Sequence, residues 1–158
     1  MARPSPNPLL KSAEVLPKGE LFQAMIPRTD MDPRVAGPLS ENETALLEEG
    51  LHRFDTGQFW HAHESWEDLW NSLKRRSAHD REILLVQGLI QTAAMLLHHQ
   101  RKNAVGVSKQ WAKLQPKLEG WAVAWGLDVA THLSVIETYA DDEGVWNLVA
   151  TDHQVPRA

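Results

Sequence analysis

The chain has 158 residues, a formal charge of −5 and 42% hydrophobic content, which suits one domain with its own core. It has no cysteine, so disulfides, thiolate nucleophiles and cysteine-held zinc are excluded. The acidic balance argues against nucleic acid as a partner, and no apolar run is long enough to predict a membrane span.

The N-terminus lacks the continuous apolar segment of a signal peptide, so the cytoplasm is the expected compartment. Seven of the nine prolines fall in residues 1–39, a density that forbids a long helix. Leu9, Leu10, Val15, Leu16, Leu21, Phe22, Met25 and Ile26 give this stretch apolar anchors. Residues 1–39 are therefore expected to form an extended, proline-rich arm packed on the domain or on a neighbouring subunit. Residues 40–144 are expected to form a helical bundle, and 145–158 a C-terminal tail that adds one turn around Trp146 and then frays.

Ser40-Glu41-Asn42-Glu43 is a capping box, and it opens a first helix over about 41–55 with Leu46, Leu47, Leu51 and Phe54 on one face. Gly57 suits the turn that follows. From Phe59 to Leu73, about 100° per residue puts Phe59, Ala62, Trp66, Leu69, Trp70 and Leu73 on one broad apolar face. His63 lies inside the edge of that face and Glu67 one turn later beside it, whereas His61, Glu64 and Asp68 point away. Lys74-Arg75-Arg76 follows, where cations favour a helix C-terminus.

A third helix over about 80–101 is apolar almost all round, as a helix buried among others is. Its polar residues Gln87, Gln91 and His98 project as one narrow stripe. Asn103 caps a fourth helix with Val107, Trp111, Leu114 and Leu118 on one face, and Pro116 kinks or ends its last turn. Residues 119–127 form a connection, Asp128 caps a fifth helix, and Gly144 marks its end. No stretch alternates as a strand does. The predicted fold is all-α, a single bundle of about five helices with mostly antiparallel neighbours.

The block Phe54-x-x-Gly57-x-Phe59-Trp60-x-Ala62-His63-Glu64-x-x-Glu67-x-x-Trp70 is followed by Gln87-Gly88-Leu89-Ile90-Gln91-x-Ala93 and His98. In combination these blocks resemble the small helical bacterial and archaeal family known as domain of unknown function 309, over roughly 41–140. The resemblance implies an all-helical bundle and brings no substrate or reaction with it. His61 stands where that family usually has glutamate, so any role of an acid there is in doubt in this chain.

The short linker 74–79 predicts that the second and third helices are antiparallel neighbours whose polar strips meet. The candidate ligand-binding set is His63, Glu64, Glu67, Trp70, Gln87, Gln91 and His98. Three roles compete for it. One is a structural His–Glu–Gln network that pairs with the Trp66 and Trp70 indoles. Another is a pocket for a small polar ligand. The third is a divalent metal site on His63, Glu67 and His98, although His63-Glu64-x-x-Glu67 departs from the zincin pattern at its last position. A metal-dependent, hydrolase-like enzyme would use Glu67 as general base, His63 to orient it or bind the metal, and Gln91 to hold a substrate oxygen. Robust catalysis is not expected. A non-enzymatic alternative treats Trp60, Trp121, Trp125 and Trp146 as an exposed patch for protein–protein interaction, including homodimer formation.

Overall fold

The computed structural model describes residues 34–158. The expectations for the proline-rich arm up to residue 33 lie outside the described residues. Among these residues five α-helices dominate: α1 Glu41–Asp55, α2 Phe59–Arg75, α3 Asp80–Gln100, α4 Ala104–Leu118 and α5 Val129–Asp141. α1 packs on α2, α2 on α3 and α3 on α4, while α5 leans mainly on α4. Among the described residues no helix is long and apolar enough to cross a membrane.

The capping box forms as expected: Glu43 N–H donates to Ser40 Oγ, and Ser40 N–H donates to Glu43 Oε1. Glu43 does more than cap. Its buried carboxylate also accepts from Ser72 Oγ at 2.8 Å and Arg76 Nε at 2.9 Å, tying the start of α1 to the end of α2. The Arg76 guanidinium beside it, helped by Ser40 and Ser72, holds the Glu43 carboxyl down at about 2 despite burial.

Leu47, Leu51 and Phe54 of α1 meet Phe59, Ala62, Trp66, Leu69 and Leu73 of α2. α3 adds Leu85, Val86, Leu89, Ala93, Met95 and Leu96, so that its circumference is covered on several sides. The Trp66 indole is fully buried and donates to Leu47 O at 3.2 Å. It reaches that carbonyl because residue 50 is glycine, where an added Cβ would lie 2.1 Å from Trp66 Nε1. Pro116 stays inside α4, two residues before its end.

Two expectations are corrected. The 119–127 connection contains an antiparallel hairpin, β1 Val123–Ala124 paired with β2 Leu127–Asp128. Strands of two residues are too short to show alternation. Their turn is made by Trp125 and Gly126, both at positive φ (50° and 80°), the geometry that matches strand twist in a tight hairpin. The C-terminal tail, expected to fray, is tied down. A turn closes at Trp146, whose N–H donates to Asp142 O at 2.9 Å, and a 3₁₀ segment follows at Ala150–Asp152. Beyond it, Asp128 N–H donates to Pro156 O and Ala158 N–H to Gly126 O, so the tail runs along the hairpin edge. Asp55 anchors the same tail from α1, accepting from Val155 N–H and from Arg157, each at 2.9 Å.

Candidate functional site

Three helices line a groove of about 240 Å³. α2 contributes His63, Glu67 and Trp70, at spacings of four and three residues. α3 contributes Gln87, Ile90, Gln91 and Ala94, and α4 contributes Gln110 and Lys113. Each set recurs at helical spacing on one face, so the groove follows directly from the amphipathic registers of its walls. Ile90 and Ala94 supply apolar surface, and opposite charges, Glu67 and Lys113, sit on different walls.

Two aromatic contacts set the α2 wall. The Trp60 indole stacks on the His63 ring, with centroids 5.3 Å apart and planes within 6°. Lys74 places its Nζ 3.5 Å from the centre of the Trp70 ring, a cation–π contact. His63 and Trp70 are thus each braced by a neighbour one turn away on their own helix.

The polar atoms of the groove do not bond one another. His63 Nδ1, Trp70 Nε1 and Gln91 Oε1 are buried and have no hydrogen-bond partner among the described residues. Trp121 Nε1 is the other such side-chain atom among the described residues. The expected His–Glu–Gln network that would satisfy both indoles therefore does not form: Trp66 bonds a backbone carbonyl, and Trp70 Nε1 is left open. Buried polar groups are ordinarily paired, and leaving one unpaired costs about 1–3 kcal/mol.

The candidate residues thus divide. His63, Glu67, Trp70, Gln87 and Gln91 come together in the groove. Glu64 does not. It lies on the α1 side of α2 with Glu49, Arg53, His61, Ser65 and Asp68, and its carboxylate is 3.1 Å from His61 Nδ1. His98 does not either. Seven residues beyond Gln91 is about 10 Å of helix axis, which carries it to the α3–α4 corner. There its ring packs against Gly106, whose Cβ would otherwise lie 2.4 Å away, and its Nδ1 is 3.2 Å from Asn103 Nδ2. The metal set His63, Glu67 and His98 therefore does not converge. Among the described residues no three His, Cys, Asp or Glu side chains are arranged to hold a metal ion.

Residues 47–109 match the family model described as Domain of unknown function (DUF309). The match is narrower than the expected 41–140 and leaves out the hairpin, α5 and the tail. All of the groove except Gln110 and Lys113 lies inside the DUF309 region. No curated protein and no solved structure matches the chain.

A second polar assembly lies mostly outside the DUF309 region and was not foreseen. Thr92 Oγ1 donates to Leu89 O at 2.7 Å, so it accepts from His132 Nε2 at 3.1 Å. That tautomer leaves His132 Nδ1 to accept from His153 Nε2 at 2.9 Å. One directed chain of neutral groups thus joins the tail to α5 and to α3. Burial pushes His132 down to about 3, with His153 adding to the effect, and burial pushes His153 down to about 4 against the opposing pull of Asp55. Beside it, buried His99 and Asp142 pair at 2.8 Å, and Asp142 accepts from the N–H groups of Asn147 and Leu148. The histidines are scattered through the sequence at no ligand-like spacing, so only the tail's return makes them neighbours.

The tryptophan patch is also corrected. Trp60 is 55% exposed, but Trp121 is 2% exposed. Trp125 donates to Gly37 O, and Trp146 packs edge-on against His99. These four side chains do not form one exposed surface.

Proposed function

We propose that the protein binds a small polar molecule in the α2–α3–α4 groove. The observation that carries this is the gathering of three open, buried polar atoms, on His63, Trp70 and Gln91, around one cavity. A structural network would use those atoms on each other. A site built for a partner molecule leaves them free and braces them from outside, as Trp60 and Lys74 do here. The cavity, about 240 Å³, lies below the usual range of pockets for drug-sized ligands, about 300–1,000 Å³, so the ligand is a small metabolite or a fragment of a larger one. A metal-dependent hydrolase would have to work from His63 and Glu67 alone, and nothing in the groove favours that chemistry over simple binding.

The test is a thermal-shift screen of wild type against a library of small polar metabolites, repeated with Gln91→Leu. At least one compound should raise the melting temperature of wild type and leave the variant unmoved. Compounds that stabilise both proteins equally, or none at all, would contradict the proposal.

A further inference from the structure

Another cavity opens between the end of α3 and the returning tail, and we infer that it is a binding site for a small carboxylic acid with an apolar body. Its volume, about 390 Å³, falls within the range of about 300–1,000 Å³ usual for small-molecule sites. Buried His99 lines it from α3, beside Lys102, and Trp146, Leu148 and Val149 line it from the tail. One carboxylate braces both walls. Asp142 holds the His99 ring through Nε2 at 2.8 Å, and it holds the tail through the N–H groups of Asn147 and Leu148. Trp146 packs edge-on against the same ring, and the Tyr139 hydroxyl donates to Val149 O at 2.9 Å.

The bond to Asp142 fixes what the His99 ring offers. Burial pulls the Asp142 carboxyl up, but the N–H groups of Leu148 and Asn147 and the His99 ring hold it below its ordinary value. An ionised carboxylate only accepts, so Nε2 carries its proton toward Asp142 and the ring cannot turn over without losing that bond. Nδ1 is then the free atom. It has no hydrogen-bond partner among the described residues, and it is not one of their fully enclosed unpaired atoms. It therefore keeps an opening, and the cavity is the space that its residue lines. An acid suits Nδ1 in either protonation state, because neutral imidazole accepts the proton of a carboxylic acid and imidazolium donates to a carboxylate. Lys102 carries the only permanent charge among the lining residues, which favours an anion over an ammonium. The carbonyls of Leu97, His98 and His99 at the end of α3 already accept from Arg101, Lys102 and Asn103 N–H groups, so they do not oppose an anion as free acceptors would. Leu148 and Val149, 40% and 54% exposed, offer uncovered apolar surface to the hydrocarbon body.

The experiment compares hexanoate, hexanamide and hexylamine, which share a chain and differ in the polar group. Binding is followed by the indole N–H resonance of Trp146 in a proton–nitrogen correlation spectrum, assigned by its loss in Trp146→Phe. Hexanoate should move that resonance saturably, with an affinity about tenfold or more above the other two, as expected for a hydrogen bond that carries charge. His99→Gln should abolish the preference for the acid. Lys102→Gln, at an exposed position where folding is not at stake, should weaken hexanoate by about two- to fivefold, the worth of an exposed charge pair. A Trp146 resonance that hexanoate leaves in place would overturn the site. Equal or tighter binding of hexanamide or hexylamine, or an acid preference that survives both substitutions, would overturn the assignment to an acid held by His99 and Lys102. Hexanoate that moves the Trp70 indole resonance and not that of Trp146 would place the acid in the α2–α3–α4 groove instead, and it too would overturn this site.

Discussion

Single side chains decide where this fold is tight and where it is open. Trp66 and Trp70 lie one helical turn apart, yet their indoles meet opposite fates: one is closed against Leu47 O, the other left open in a groove. The difference traces to Gly50, whose lack of a Cβ makes room for the Trp66 ring. Gly50→Ala should therefore destabilise the protein, even though alanine is the better helix former by about 1 kcal/mol. Overpacking a closed core typically costs about 1–3 kcal/mol, and loss of the Trp66–Leu47 bond adds to it. A fall in the urea midpoint is the expected outcome, and an unchanged or raised midpoint would mean that Trp66 does not sit against α1 as described.

Among the elements, the five helices and three of their N-caps were legible in the sequence because each is written locally; the His79 cap of α3 was not. Ser40 and Glu43, Asn103, and Asp128 cap as their types predict, and apolar spacing alone faces His63 and Glu67 toward Gln87 and Gln91. What local pattern could not show is where the chain goes after α4. The hairpin strands are too short to alternate, and the tail is held by bonds to residues about a hundred positions away, such as Asp55. The expectation that His98 joins the groove failed for a related reason: angular projection places residues around a helix but ignores their distance along it.

The tail's attachment predicts a pH dependence. His132 and His153 are held neutral in the fold, at about 3 and about 4, whereas in the unfolded chain they take up protons near 6.5, the ordinary value for histidine. Their contribution is thus fully present above about pH 6.5 and is lost as the pH falls toward about 4. Glu43, with its depressed carboxyl, contributes above 4.5 and loses that contribution only toward about 2. Between pH 7 and 5, then, the fall in urea stability should come from the histidines. His153→Gln keeps a donor for His132 Nδ1 without a titrating ring, and it should make that fall shallower. An equal slope in wild type and variant would show that the chain of histidines does not link the tail to α5 and α3.

For the molecule as a whole, most buried polar groups stabilise: Glu43 joins α1 to α2, Asp142 caps the turn after α5, and the Thr92–His132–His153 chain fastens the tail. The groove stands against this pattern. It carries three open polar atoms at a cost in stability, and it lies almost wholly within the DUF309 region. Such an arrangement is what a binding site built on rigid helices requires. The most direct test is the unfolding free energy of Gln91→Leu in urea, set beside wild type without added ligand. If Gln91 is kept for a ligand, removing its unpaired oxygen leaves the protein at least as stable, and up to about 1–3 kcal/mol more so. A loss of more than about 1 kcal/mol, the net worth of an ordinary internal hydrogen bond, would show that Gln91 is a structural member of the core and would contradict the binding groove.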